Sequence, residues 1–186
     1  PDYYFEHRRA QEHALGQVPE VFEQVQARFS QMSGRPYEGP CELYQMKDAK
    51  TALVVMGSAA GTAKAVVDLL RREGRRVGLL KPWLFRPFPR KAIAAALKHV
   101  ESVAVLDRGM SFGSFGPLYL EISSALYADT CGTPEMQPHL ANIIYGLGGR
   151  DLRPDQIRKL YDDLESDRLR PDELHYVGLR DEGDLR

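Results

Sequence analysis

The chain has 186 residues, room for one domain of ordinary size with extensions. Its 43% hydrophobic and 27% charged residues describe a globular chain, not a disordered one. With 25 Lys+Arg against 26 Asp+Glu the net charge is −1, which argues against a dedicated nucleic-acid binder, and no apolar run approaches the roughly 18 residues of a membrane span.

Residues 1–40 read as a helical lead-in and linker. Pro19 and Glu20 suit a first helical turn. Val18, Val21, Phe22, Val25, Phe29 and Met32 then recur at spacings of three and four, which makes one apolar stripe. Gly34 stops the helix, and Gly34–Pro40 is rich in turn residues.

An α/β domain is expected over 41–165. Cys41–Met46 alternates weakly, as a short edge strand does. Thr51–Gly57 is a near-continuous apolar run, as in a strand buried on both faces. Helices are expected over 62–73, 89–100, 117–127 and 154–164, and strands over 76–80, 102–107 and 140–145. Strands alternating with helices predict βαβ units and a mostly parallel sheet. The remaining residues, 166–186, read as an acidic tail. Residues 162–186 carry nine acids and four arginines, whereas residues 62–98 carry ten bases and two acids. Such runs are ordinary solvated faces, or the acidic end lies against the basic half.

Chemistry in such sheets collects at the carboxyl ends of the strands. The first buried strand ends in Gly57-Ser58-Ala-Ala-Gly61-Thr62, a turn whose amides could hold an anion. Ala59 and Thr62 stand where the dinucleotide motif needs glycines, Thr62 and Ala63 break the Walker pattern, and Ser58 sits wrongly for a nucleophile elbow. Ser58 is therefore expected to cap the following helix. The next strand ends in Lys81–Arg90, where Trp83, Phe85 and Phe88 interleave with Lys81, Arg86 and Arg90. That spacing suits a single-stranded nucleic-acid platform; the plainer reading makes the aromatics core plugs and pairs Arg86 with a carboxylate. The third strand ends in Asp107-Arg108 before a glycine-rich loop, and the fourth in Gly146-Leu-Gly-Gly-Arg150-Asp151. Arg86, Arg108 and Arg150 are thus expected on one edge, in mutual Arg–Asp bonds or as an anion or docking site. The residues Gly57, Ser58, Gly61, Thr62, Arg86, Asp107, Arg108 and Arg150 make up that candidate edge. No acid–base pair or nucleophile with a base partner stands out. The five histidines lack metal-ligand spacing, and Cys41 and Cys131 form no C-x-x-C, which fits a reducing, cytoplasmic setting and leaves one disulfide open. Pro1 in place of an initiator Met predicts a piece of a longer polypeptide.

The runs Met56–Lys64, Gly78–Pro89, Val105–Arg108 with Gly116–Glu121, and Tyr145–Asp151 resemble, in content and order, the C-terminal part of the alpha subunit of pyruvate (2-oxoacid):ferredoxin oxidoreductase, or pyruvate synthase. The resemblance covers about residues 1–165. It implies a three-layer α/β/α sandwich like the C-terminal domain of transketolases, with Cys41–Met46 as an antiparallel edge strand. It implies an enzyme that decarboxylates a 2-oxoacid on thiamine diphosphate, passes electrons through [4Fe–4S] clusters to ferredoxin or flavodoxin, and forms acyl-coenzyme A. The cofactor motifs of that family are absent here, so this segment is expected to be architectural: no catalytic residue, no metal, no cofactor of its own. It would pack on the preceding thiamine-binding domain and neighbouring subunits, with no nucleic acid and no membrane. Lys81-Pro-Trp83 and the longer Thr130–Pro138 stretch depart from the family pattern. Two other readings compete: a stand-alone phosphate-ligand or coenzyme A module at Gly57–Thr62, and a single-stranded nucleic-acid binder at Trp83–Phe88.

Overall fold

The structure, a computed structural model, describes residues 2–130 and 137–180. Cys131, most of the Thr130–Pro138 stretch and the last six residues of the acidic tail lie outside it. Two helices open the chain, α1 (Tyr4–Leu15) and α2 (Val18–Ser33). The sheet follows as β1 (Cys41–Tyr44), β2 (Thr51–Val55), β3 (Val77–Pro82), β4 (Ser102–Asp107), β5 (His139–Tyr145) and β6 (Leu174–Val177). Helices α3 (Ala59–Arg72), α4 (Arg90–Leu97), α5 (Pro117–Asp129) and α6 (Pro154–Glu165) fill the intervals.

The strands lie in the order β1-β3-β2-β4-β5-β6. All pairs are parallel except β1 with β3, so the edge strand expected at Cys41 is present and antiparallel. It is lashed to α3 by the Lys64–Glu42 ion pair and by Tyr44, whose hydroxyl donates to Asp68 at 2.6 Å.

Each buried strand alternates two apolar faces, and each face meets its own pair of helices. Leu53, Leu79, Leu106 and Ile143 face α3 and α6, packing on Val67, Leu70, Ile157 and Tyr161. Val54, Leu80, Val103 and Leu140 face α4 and α5, packing on Ile93, Leu97, Ile122 and Leu126. Both sides of the sheet are therefore covered, which is why β2 to β5 are predominantly apolar on both faces. The result is a three-layer α/β/α sandwich.

Two features differ from the sequence expectation. No strand is expected after residue 165, yet Leu174–Val177 adds a sixth strand in register with Asn142–Tyr145. The surrounding acids hide it: the stretch has only four residues and half-buried side chains, so it lacks the long apolar run that marks β2 to β5. The second concerns α2. Its apolar stripe is real but uncovered: Val21 is 55% exposed, Val25 58%, Phe29 49% and Met32 78%. The buried residue of this helix is Gln26, whose amide donates to the Gly39 carbonyl at 2.9 Å.

The acidic face near residue 165 does meet the basic half in part. Arg75 pairs with Asp162 and Glu165, and Arg158 with Glu73. These bonds join α6 to α3 over a shared core at whose centre Tyr161 is fully buried, its hydroxyl donating to the Gly78 carbonyl at 2.8 Å. Tyr161→Phe is expected to lower the unfolding free energy by about 1.5 kcal/mol, through the lost hydrogen bond. Leu53→Ala, which empties the same core, is expected to cost about 3 kcal/mol. Urea denaturation of the two variants checks both values and their order.

Candidate functional site

Neighbouring strands β2 and β4 send their chains to opposite sides of the sheet. After β2 the chain enters α3 on one face; after β4 it enters α5 on the other. Their exits part, and a crevice opens between them at the carboxyl edge, where parallel sheets place their ligands. The crevice has a volume of about 620 Å³. Its walls include Gly57, Ser58 and Thr62 from the first turn, Asp107 and Arg108 from the second, and Arg150 from the turn after β5. Six of the eight residues expected on this edge are therefore brought together. Gly61 is in the same turn but not in the wall. Arg86 is elsewhere: it pairs with Glu121 at 2.6 Å and stacks on the Phe85 ring at 4.4 Å.

Asp107 is the buried member. One carboxylate oxygen accepts from the Leu118 amide at 2.8 Å, and the other from the Tyr119 amide at 3.1 Å. These are early amides of α5, so the last residue of β4 caps a helix ten residues away in sequence. Asn142, fully buried in β5, completes the arrangement. Its amide donates to Asp107 at 2.9 Å, and its carbonyl accepts from the Gly116 amide at 2.7 Å. A Cβ on Gly116 would stand 2.3 Å from the Asp107 carboxylate, so glycine is required there. Burial pushes the Asp107 carboxyl above its usual range, against the pull of the two amides and Asn142.

The expected Arg–Asp bracing does not form here, because Asp107 turns inward to α5. The arginines hold backbone instead. Arg108 Nε donates to the Gly146 carbonyl at 3.1 Å, and Arg150 donates to the Gly178 carbonyl beyond β6. Ser58 stands at the start of α3, but its side chain makes no capping bond, and no acid occupies the first turn. Gly57 precedes it at φ 74°, a conformation that favours glycine. The opening of α3 thus faces the crevice without a side-chain cap.

The aromatic run after β3 is built into the protein. Phe85 and Phe88 meet edge-on, centroids 6.2 Å apart, and pack on the α4/α5 side of the core. Trp83 stacks against Tyr37 at 5.2 Å, with the Lys81 ammonium 4.2 Å from its ring centre. Among the described residues, no group of three or more His, Cys, Asp or Glu is placed to hold a metal ion. No described helix is long and apolar enough to cross a membrane.

A family profile described as pyruvate:ferredoxin oxidoreductase core domain II matches residues 49–157, which span β2 to the first turn of α6. The chain belongs to this family. It is 45% identical over 180 residues to pyruvate synthase subunit PorA of Thermotoga maritima, covering 97% of this chain and 44% of that protein. Against the same subunit of Methanothermobacter thermautotrophicus it is 37% identical, covering 99% of this chain and 45% of that one. The chain therefore spans less than half the length of these relatives. Among solved structures, 2-oxoglutarate:ferredoxin oxidoreductase from Magnetococcus marinus aligns with 68% of this chain and 20% of its own at 19% identity and a TM-score of 0.47.

Two positioning residues escape sequence reasoning. Tyr145 lines the crevice and Asn142 orders its floor. The available signal for Asn142 was a lone amide inside the apolar run Leu140–Tyr145; a buried polar residue in a central strand implies a dedicated partner.

Asp107→Ala leaves two α5 amides without acceptors and is expected to cost about 3 kcal/mol. Asp107→Asn keeps one acceptor and should cost less. Because the native carboxyl is raised above its unfolded value, the folded chain holds the extra proton. Its contribution to stability therefore declines as pH rises from the ordinary value of 3.8 through the raised native one. Denaturant unfolding across that window should show the gap between the parent and Asp107→Asn narrowing as pH rises.

Proposed function

We propose that this chain is the subunit-packing domain of a thiamine-diphosphate-dependent 2-oxoacid:ferredoxin oxidoreductase, with pyruvate as the substrate. The complete enzyme would convert the oxoacid to acyl-coenzyme A and pass electrons through [4Fe–4S] clusters to ferredoxin or flavodoxin in the cytoplasm. Similarity to the PorA subunits supports this reading, and so does their greater length.

The observation that carries the packing role is the uncovered face of the lead-in. Val21, Val25, Phe29 and Met32 form an exposed stripe on α2, and Tyr3, Tyr4 and Phe5 are exposed at α1. Contiguous apolar surface of this kind marks an interface. The occupant proposed is the preceding thiamine-binding domain of the same polypeptide, with other subunits of the complex beside it.

Among the described residues, neither Asp107 nor Cys41 is placed to hold the metal of a diphosphate cofactor or an iron–sulfur cluster. A metal-held diphosphate needs free carboxylate oxygens, and the Asp107 carboxylate is already engaged by α5 and Asn142. Cys41 is buried, and burial pushes its thiol up, away from the thiolate that ligates iron. No step of the reaction is routed through this domain.

Two measurements test the reading. The native protein, captured anaerobically with an antibody to this chain, is expected as a longer polypeptide accompanied by, or fused to, iron–sulfur subunits. A lone polypeptide near 21.0 kDa would overturn it. The double substitution Val21→Asp/Val25→Asp should weaken recovery of those companions at least tenfold while leaving the sandwich folded, since both side chains are exposed and stand outside its core. The 186-residue chain given thiamine diphosphate, coenzyme A and a viologen should oxidise no 2-oxoacid; turnover would place chemistry in this domain.

A further inference from the structure

We infer that the crevice between β2 and β4 binds the phosphate group of a small molecule. The crevice is built by this chain, and the inference stands whichever oxoacid the assembly oxidises.

Three independent features converge there. The first is topological. Adjacent strands whose crossovers leave on opposite faces open a cleft at their carboxyl ends, and 620 Å³ falls in the range of small-ligand sites. The second is electrostatic. Helix α3 has 14 residues, points its N-terminus at the cleft and carries neither a side-chain cap nor an acid in its first turn. Its dipole and the amides ahead of Gly61 are available to an anion, the Gly61 amide itself donating to the Ser58 carbonyl at 2.9 Å. Arg108 and Arg150 flank the same space. Each is anchored through a bond to a backbone carbonyl, and neither forms an ion pair among the described residues. The contrast with α5 is informative, because there Asp107 already occupies the N-terminus. The sheet thus fills one helix start with its own carboxylate and leaves the neighbouring one open.

The third feature is Tyr145. It is 7% exposed and lines the crevice. Its hydroxyl has no hydrogen-bond partner among the described residues, and the charges that act on it are those of Arg108 and Asp107. The ring is held in the core while the hydroxyl opens onto the crevice, free to donate to a ligand there. A phosphate oxygen satisfies it, together with the arginine donors and the α3 amides. The Ser58 and Thr62 hydroxyls and the Asp151 carboxylate complete the polar wall; the carboxylate accepts hydrogen bonds and so suits the hydroxyls of a sugar phosphate. Phosphate is the shared chemistry of a free anion and an ester.

The test uses the native assembly and reads hydrogen–deuterium exchange in the segment 57–66. Exchange there is local to this crevice, so phosphate bound elsewhere in the assembly does not enter the reading. Replacing chloride by inorganic phosphate at equal ionic strength is expected to slow exchange of the amides of residues 58–62 about threefold or more. Arg108→Ala/Arg150→Ala should abolish the slowing while exchange in residues 102–106 stays at the parent value, which reports an intact sheet. Tyr145→Phe, which keeps the ring in the core, should raise the phosphate concentration needed by about fivefold. Ribose 5-phosphate acting at lower concentration than phosphate identifies an ester as the ligand; equal potency identifies the free anion. No slowing in the parent, or equal slowing in the double variant, overturns the inference.

Discussion

One buried carboxylate sets the geometry of the whole carboxyl edge. Asp107 ends β4, caps α5 and accepts from the Asn142 amide of β5, so it fixes three elements at a single point. Hydrogen bonds to a charged group are worth roughly 1.5–3 kcal/mol each, while desolvating a carboxylate costs several. The direction of the Asp107 shift decides the balance: burial outweighs the bonds that favour the charge. Asp107 is therefore a modest stabiliser and a strict specifier. It dictates where α5 starts, and Gly116 is the residue that fits against it. With α5 pinned on one face and α3 on the other, the cleft between β2 and β4 has a fixed width.

The same bond explains why Arg108 has no carboxylate partner among the described residues. An aspartate turned outward at position 107 would neutralise the arginine beside it. Turned inward, it leaves Arg108 to brace the turn after β5 through the Gly146 carbonyl. Arg150 reaches the Gly178 carbonyl past β6. The short sixth strand thus steadies the far wall of the crevice, which gives a structural use to a segment that composition alone marks as an acidic tail.

Much of the architecture was legible in the residues because burial on both faces leaves a plain mark. Thr51–Val55 and Ser102–Asp107 are apolar runs bounded by turn residues, and each became a central strand. The weak alternation at Cys41 became the antiparallel edge, as the family resemblance implied. The edge residues were legible as a group, since the carboxyl ends of parallel strands must converge. Their bonding was not. Whether Asp107 meets an arginine or an amide depends on where α5 begins, and that depends on Asn142, which is 35 positions away. A short strand such as Leu174–Val177 takes its identity from register with β5, which a local pattern does not carry.

Helix α2 shows the complementary limit. Its three-and-four spacing announces an apolar face, and the face is there, yet among the described residues only Tyr37, edge-on to Phe29 at 5.3 Å, lies against part of it. The reason lies in the layers. Helices α3 and α6 fill one side of the sheet and α4 and α5 the other, so a further amphipathic helix has no apolar surface left to meet. Periodicity states that a face wants burial; it does not state by what. Four exposed apolar side chains, each worth roughly 1 kcal/mol or more when fully covered, offer several kcal/mol to whatever lies against them. That is comparable with the net stability of a whole domain. Such a surface is favoured only when occupied.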